Sequence, residues 1–278
     1  MFDISGYENY SIINPNYRQL NRVVYTLFLE WMVIMSKEFP LVSVLNVPFI
    51  NTTQAAFLTT IESHINNREN TFVVTANPEI VMYARNNPNY QQILNNADYI
   101  TPDGIGILKG AAILGTPMAE RITGYDTMLD LLKWGNEQHK SVYLIGAKPE
   151  VITDVKNVVT TRYPNLNIAG IHDGYFDDFA PIAQDISKTQ PDMVFLAVGF
   201  PKQEQLIADY RHQNNGLWMG VGGSFDVLSG HTKRAPKFFQ NHHLEWFYRL
   251  LSEPTRLKRM MVLPRYLKTV KQSARTNK

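Results

Sequence analysis

Cysteine is absent from this chain of 278 residues, which excludes disulfide bonds, zinc–thiolate sites and thiol nucleophiles. Long hydrophobic runs are missing as well. The apolar stretch at residues 23–35 is short and contains Glu30, whereas a membrane-spanning helix needs about 20 apolar residues. No basic segment abuts this stretch and no small-residue cleavage site follows it, so a signal peptide is not expected. We interpret residues 1–34 as an extension outside the main domain, either an accessory helix or sequence upstream of a true start at Met35.

Complete versions of the short motifs that mark many nucleotide-binding and hydrolytic enzymes are also lacking. Gly104 and Gly106 begin a GxGxxG pattern, but the final glycine is missing at its proper spacing. The sequence contains no P-loop, no HExxH zinc motif and no GxSxG nucleophile elbow. No Asp-x-Asp pair occurs, so a metal site formed by paired carboxylates is not evident.

Charge is distributed unevenly behind a formal net charge of only +2. From Lys233 onward the chain holds twelve Lys/Arg and two Asp/Glu, a net charge of +10, and the rest of the chain has a net charge of −8. A basic segment on an acidic body predicts an anionic partner for that segment. Phospholipid headgroups, a diphosphate and nucleic acid are the candidates.

Predicted strands and helices alternate along residues 41–230, without an internal repeat or a low-complexity linker. The stretch at 193–198 is almost wholly apolar, as expected for a strand that helices cover on both faces. The alternation predicts the α/β class, with a Rossmann-like, mostly parallel, doubly wound sheet and helices on both faces. We place this domain at residues 35–232.

The pattern changes after residue 230, and we predict a C-terminal basic helical appendage at residues 233–278. A helix is expected over 236–252, and Pro254 and Pro264 are expected to break the remainder into short pieces. Basic and aromatic residues mixed on short helices are typical of a membrane interface. Alternatively, the aromatic residues dock on the core and the lysines are simply solvated.

Residues 75–106 contain the main candidate functional residues, because two predicted strands in this stretch each end in polar residues. Asn77 follows a β-branched strand as a helix N-cap, with Pro78 at the first helical position. The next strand runs into a Pro-Asp-Gly turn with Asp103 at its tip. Because ligands bind at the carboxyl edge of open α/β sheets, we expect Thr75, Asn77 and Asp103 to meet at a functional site.

Several sequence blocks occur together in one order: TANPE, ADYITPDGIG, AERITGYD, YLIGAKPE, VGFPKQE, GVGGSFDVLSG, KRAP and LEWFYRLLSEPTRLKR. This set closely resembles the WecG/TagA/CpsF glycosyltransferase family (glycosyltransferase family 26) from about residue 41 to about residue 259. The resemblance implies an inverting transfer of a hexose or N-acetylhexosamine from a UDP-sugar donor to a polyprenyl-diphosphate-linked sugar acceptor. N-acetylmannosamine is the expected sugar, and the process is the synthesis of bacterial cell-surface polysaccharide or teichoic acid.

The resemblance also implies roles for individual residues. Asp103 matches the catalytic aspartate, and Thr75 lies beside it as a second catalytic residue. The residues implied in substrate binding are Asn77, Arg121, Tyr175, Gln203, Asp226, Arg249, Arg256 and Arg259. An aspartate suits inversion because one base must take the proton of the attacking hydroxyl. With no metal site evident, we expect catalysis without a metal or other cofactor, with arginines balancing the diphosphate charge.

The resemblance places the protein in the cytoplasm, peripheral on the inner face of the bacterial cell membrane, which its basic C-terminal tail would contact. The resemblance implies no nucleic-acid partner, and it is compatible with a homo-oligomer. UDP-glucose, UDP-galactose or UDP-N-acetylmannosaminuronic acid are alternative donors. Two other classes stay open: a Rossmann oxidoreductase, although its glycine fingerprint is missing, and a non-catalytic membrane-surface binder.

Overall fold

A computed structural model describes residues 39–236, 238, 239, 248 and 261–276. The interpretations of residues 1–34 and of the helix predicted over 236–252 therefore fall largely outside the described residues. The division into domains at residues 34 and 232 stays a prediction.

The described secondary structure alternates between strands and helices. The strands are β1 (Leu41–Val44), β2 (Val47–Ile50), β3 (Thr71–Ala76), β4 (Tyr99–Pro102), β5 (Ser141–Gly146), β6 (Asn167–His172), β7 (Met193–Ala197) and β8 (Leu217–Gly220). The helices are α1 (Gln54–Asn66), α2 (Pro78–Asn86), α3 (Pro88–Asn95), α4 (Ile105–Ile113), α5 (Gly124–Glu137), α6 (Pro149–Arg162), α7 (Ala180–Thr189), α8 (Lys202–Tyr210), α9 (Ser224–Leu228) and α10 (Val262–Thr276), with a short 3₁₀ turn at Arg211–Gln213.

Six of the strands form one parallel sheet in the order β4-β3-β8-β7-β5-β6. All residues of β7 and β8 are buried, because helices cover both faces of the central strands. The predicted α/β class with a parallel, doubly wound sheet is therefore confirmed. The four adjacent strands β4, β3, β8 and β7 all end at the same edge.

The first two strands form a separate antiparallel hairpin beside the main sheet. Leu45 and Asn46, between the strands, have φ angles of 52° and 70°. Two consecutive residues with positive φ make the tight primed turn that matches the twist of a hairpin. The hairpin buries Val44, Val47 and Phe49 in the core.

Asp192 fastens the amino end of the sheet. Its carboxylate accepts hydrogen bonds from the Ser141 backbone N–H and hydroxyl, both at 2.7 Å, and from Arg68 Nη1 at 3.0 Å. Burial alone would raise the pKa of this carboxyl, but the bonds from Ser141 and Arg68 outweigh burial and hold the pKa below its ordinary value. The amino ends of β5 and β7 and the turn after α1 are thus joined through one charged group.

Helix α10 packs against α2 and α4, and Tyr266 and Val270 on it are fully buried. Gly110 on α4 makes room for this contact, because an added Cβ there would overlap the Tyr266 hydroxyl. The prediction that Pro264 ends a helical piece is wrong. Pro264 is the third residue of α10, and a proline in the first turn removes no helical hydrogen bond.

The opposite face of α10 is exposed and basic. Arg265, Lys268, Lys271 and Arg275 are exposed there, and the described helix contains no acidic residue. In α10, Tyr266 docks on the core and the basic residues are exposed to solvent, as in the second interpretation of the tail. The membrane interface stays a prediction. None of the helices in the described ranges has the length and hydropathy needed to cross a membrane.

We expect Asp192→Asn to lower the free energy of unfolding at neutral pH by about 2 kcal/mol, because buried bonds to a charged group are weakened. A lowered folded-state pKa means that the stabilisation is present above the ordinary aspartate pKa and is lost as the pH falls below about 4. Urea unfolding over a pH series measures both effects, and the variant should lack this acid-dependent loss. Asp209→Asn is the control, since Asp209 is exposed and bonds only to its helical neighbour Gln205 in the described structure. Equal losses in both variants would contradict this account.

Candidate active site

A cavity of about 450 Å³ opens at the carboxyl edge of the sheet, over the ends of β4, β3, β8 and β7. This volume lies in the range of small-molecule sites. Six of the residues predicted from the sequence line it: Thr75, Asn77, Asp103, Arg121, Gln203 and Asp226. The predicted meeting of two strand ends is seen directly, because Thr75 on β3 is paired in register with Thr101 on β4.

Asn77 serves the fold and the cavity at once. Its side-chain oxygen accepts hydrogen bonds from the N–H groups of Glu79 (2.9 Å) and Ile80 (3.0 Å) at the start of α2. The predicted N-cap is therefore confirmed, with Pro78 as the first helical residue. Because the oxygen is used by the cap, the amide Nδ2 is the part of Asn77 suited to a ligand.

Asp103 lies directly after β4, where the chain turns into α4. Its backbone N–H donates to the Ala76 carbonyl (3.0 Å), which continues the β3–β4 pairing past the last residue of β4. The Gly124 N–H, at the first residue of α5, donates to Asp103 Oδ2 (3.3 Å). The positive dipole end of α5 thus faces the carboxylate, and Gly104 permits the sharp turn with a φ of 101°.

Thr75 and Gly124 are in close contact on this wall. The Thr75 hydroxyl donates to the Gly220 carbonyl at the end of β8 (3.3 Å). A Cβ added at Gly124 would lie 2.8 Å from Thr75 Oγ1 and 3.2 Å from its methyl group. Glycine at the start of α5 therefore allows the helix to approach both Thr75 and Asp103.

Gln203 forms the cavity wall between β7 and β8 and is 5% exposed. Its Oε1 accepts from the Gly222 backbone N–H (3.1 Å), and its Nε2 donates to Glu204 Oε1 (2.7 Å). The chain at Gly222 has a φ of 51°, which glycine adopts without strain. The following residues enter α9, and Asp226 on that helix lines the cavity.

Sequence reasoning missed a second group of cavity residues, at the start of α5 and after α9. Arg234 pairs with Asp126 (Nη2 to Oδ1, 2.6 Å), and its guanidinium stacks over the Tyr125 ring at 4.9 Å from the centroid. Thr123 caps α5 and donates to Asp126 Oδ2 (2.7 Å). These residues lie in the blocks AERITGYD and KRAP, in which the family resemblance implies a role for Arg121 alone.

Not every predicted residue is found at the cavity. Tyr175 is 68% exposed on the loop after β6 and does not line the cavity wall. Its backbone N–H donates to Asp173 Oδ1 (2.7 Å), which holds the loop in a turn. Arg249, Arg256 and Arg259 lie outside the described residues. Their roles, like that of Tyr175, stay predictions.

Acidic and basic side chains both line the cavity. The carboxylates are Glu79, Asp103, Asp126 and Asp226, and the guanidinium groups are Arg121 and Arg234. Within the described ranges, no group of three or more His, Asp or Glu residues is placed to hold a metal ion. Catalysis without a metal remains an expectation.

A parallel α/β sheet with a carboxylate, helix N-termini and a glycine-rich loop around one cavity at its carboxyl edge defines a Rossmann-like ligand-binding protein. The particular family follows from sequence comparison. The model of the glycosyl transferase WecG/TagA/CpsF family matches residues 42–278, and the chain belongs to this family of glycosyltransferases.

Relatives of the chain carry one common name, N-acetylglucosaminyldiphosphoundecaprenol N-acetyl-beta-D-mannosaminyltransferase. The protein of that name from Bacillus spizizenii is 41% identical over 231 residues, which cover 82% of this chain and 90% of the relative. Its counterpart from Bacillus subtilis is 40% identical, with 84% and 92% covered. A third, from Staphylococcus aureus, is 37% identical, with 84% and 93% covered.

Gly124→Ala is expected to destabilise the protein by about 1–3 kcal/mol, although alanine is the better helix former, because the new Cβ would collide with Thr75. In a Thr75→Ala background the same change should cost much less, since the hydroxyl and methyl group are gone. A double-mutant cycle in urea measures this coupling. Gly135→Ala on the same helix is the control, because its added Cβ would meet Leu166 and Met193 instead. Its cost should be equal in both backgrounds, and an uncoupled Gly124→Ala would disprove the contact.

Proposed function

We propose that this chain transfers N-acetylmannosamine from a UDP-sugar to the N-acetylglucosamine of a polyprenyl-diphosphate-linked acceptor. The observation that carries the proposal is the position of Asp103, on the cavity wall with Thr75, Asn77 and Gln203 around it. The names of the relatives specify the same sugar and the same kind of acceptor. The proposed process is the synthesis of a bacterial cell-surface polymer such as teichoic acid.

The reaction is a single displacement with inversion. A hydroxyl oxygen of the acceptor sugar forms a bond to C1 of the donor sugar as the bond between C1 and the UDP oxygen breaks. UDP leaves with the bonding electrons, and the acceptor proton passes to the Asp103 carboxylate as general base. The N–H of Gly124 holds Oδ2 of that carboxylate, which leaves the orientation of the base fixed relative to α5.

Neighbouring residues orient the donor in this proposal. Thr75 supports the base from the end of β3, and Asn77 offers its amide Nδ2 to a sugar oxygen. Arg121 and Gln203 are assigned to the donor sugar and diphosphate, and Asp226 to the nucleoside.

The departing UDP requires positive charge, because two phosphates become more anionic as the C1 bond breaks. Arg121 and Arg234 lie on the described cavity wall, and guanidinium forks suit diphosphate oxygens. They share that wall with four carboxylates. The tail arginines Arg249, Arg256 and Arg259 are proposed to add the remaining charge in place of a metal ion.

The acceptor is a lipid, so the protein must meet a membrane surface. We assign this contact to the exposed face of α10 with Arg265, Lys268, Lys271 and Arg275, on the inner face of the cell membrane. Because Val262 and Leu263 at the start of α10 line the cavity, this surface adjoins the cavity in which the acceptor is proposed to react.

The transferase proposal is tested by UDP release with a polyprenyl-diphosphate-N-acetylglucosamine analogue and a panel of UDP-sugars. We expect release with UDP-N-acetylmannosamine, an inverted product by NMR, and a loss of about 10²–10⁴-fold in Asp103→Asn. Asp177→Asn is the matched control, since Asp177 is exposed at the same sheet edge but outside the cavity. Release that survives in Asp103→Asn would remove Asp103 as the base. If UDP is released only with another UDP-sugar, the proposed donor sugar is wrong. If no UDP-sugar gives release, the proposed transfer is refuted.

For the membrane contact, we expect Lys268→Glu/Lys271→Glu to weaken binding to phosphatidylglycerol vesicles by at least about tenfold in low salt, because each basic side chain contributes about 1 kcal/mol at an anionic surface. Co-sedimentation with the vesicles measures the fraction of bound protein. The affinity for UDP should be unchanged in the double variant. Lys156→Glu/Lys188→Glu is the control, with the same charge change at exposed positions on α6 and α7. Equal weakening by both pairs would show that only net charge matters, which contradicts a specific surface.

A further inference from the structure

On the side away from the cavity, Gln203 is hydrogen-bonded to a carboxyl group that has no part in the proposed transfer reaction. Glu204 is 1% exposed, and its Oε1 accepts the hydrogen bond from Gln203 Nε2 at 2.7 Å. A carboxyl group is rarely buried to this degree unless it is paired or neutral. No Lys or Arg in the described structure forms an ion pair with it. A buried carboxyl group without an ion-pair partner, next to the cavity wall, therefore requires a structural or functional explanation.

The Tyr90 hydroxyl on α3 lies close to the Glu204 carboxyl group. Tyr90 is 4% exposed, and neither its hydroxyl nor Glu204 Oε2 makes a hydrogen bond of normal geometry among the described residues. Burial raises the pKa of the Glu204 carboxyl, while the bond from Gln203 and the nearby Tyr90 hydroxyl act in the opposite direction. A neutral carboxyl fits this place, since it can accept from Gln203 with one oxygen and donate to Tyr90 with the other.

The orientation of the Gln203 amide follows from its two partners. The Gly222 N–H can only donate, so the atom that faces it must be Oε1. Nε2 then points toward Glu204 and packs over Gly220, where a Cβ would come within 2.5 Å of Nε2. Rotation of the amide by 180° would set two donors against each other at Gly222.

We propose that Glu204 is a positioning residue which, together with Tyr90, fixes the Gln203 amide and through it the Gly222 loop of the donor site. The inference rests on the proposed transferase function, because it takes this wall of the cavity to bind the UDP-sugar. Glu204 itself does not line the cavity, so it acts through Gln203 and touches no substrate. The hydrogen-bonding capacity of the carboxyl, and not its charge, is what the arrangement requires.

The variants Glu204→Ala, Glu204→Gln and Tyr90→Phe test this role. We expect Glu204→Ala to raise the KM for the UDP-sugar, and the Kd for UDP, by about tenfold with a smaller change in kcat, because Gln203 loses its support. Glu204→Gln should restore most of the loss, to within about threefold of the wild type, since its amide accepts and donates at the same two positions. Tyr90→Phe should lie between the two.

A control separates positioning from simple loss of stability. Tyr143 and Asp185 form another tyrosine–carboxyl pair (2.8 Å) in the same protein, outside the cavity wall. Tyr143→Phe should lower the thermal midpoint by a similar amount to Tyr90→Phe without changing the KM or the Kd.

Two results would overturn the inference. One is a folded Glu204→Ala protein with unchanged KM and Kd, and the other is a Glu204→Gln protein as impaired as Glu204→Ala. If Glu204→Ala does not fold, the comparison of Glu204→Gln, Tyr90→Phe and Tyr143→Phe decides the matter alone. Failure of the transferase proposal is distinguishable, because the wild type would then release no UDP, while UDP binding measured by calorimetry would still report on Glu204. Absence of UDP binding to the wild type would overturn both.

Discussion

Parallel pairing of β4, β3, β8 and β7 is the constraint on which the site depends. Four strands that run in one direction must end at one edge, and their last residues are then separated only by the spacing between strands. The hydrogen bond from the Asp103 N–H to the Ala76 carbonyl extends the pairing beyond β4, so the carboxylate begins from a fixed backbone position. Side chains that are far apart in the sequence, such as Thr75 and Gln203, reach one cavity for the same reason.

Small residues determine how closely the helices approach this edge. Gly124 allows the first turn of α5 to contact Thr75, and Gly110 allows α10 to lie against α4. In both cases a single added carbon atom would displace a helix that contributes residues to the cavity. The electrostatics of the site follow from these approaches, since the dipole of α5 acts only near its first turn.

The sequence was sufficient for the parts of the molecule that local patterns determine. The parallel sheet follows from the alternation of strands and helices, and the Asn77 cap from an Asn-Pro pair before an apolar repeat. The convergence of Thr75, Asn77 and Asp103 follows from their position at strand ends. Each strand and cap is marked by neighbours within a few residues, and the general rules of parallel sheets then place the strand ends together, so a single sequence reveals them.

Features that depend on distant packing were not predictable in the same way. Arg234 and Asp126 are far apart in the chain, and their pairing requires knowledge of how the segment after α9 returns to α5. Nothing in the sequence around Glu204 indicates that it is buried, because only the fold brings Tyr90 close to it. The sequence predicts a break at Pro264, although a proline in the first turn of α10 is compatible with the helix. Local sequence preference does not distinguish a proline at the start of a helix from one at its end. Packing against neighbouring segments determines where the helix begins.

Helix α10 joins the cavity to the outer surface as one rigid piece. Its first two residues form part of the cavity wall, and its 15 residues extend about 22 Å from there at 1.5 Å each. Because Tyr266 and Val270 fasten the helix to the core, it cannot change its angle without opening that core. In the proposed function, a membrane surface in contact with the basic side of α10 would therefore lie at a fixed distance from Asp103. Under that proposal the distance would limit how far a lipid-linked sugar extends from the headgroups to reach Asp103, so the protein would select the length of the acceptor as well as its chemistry.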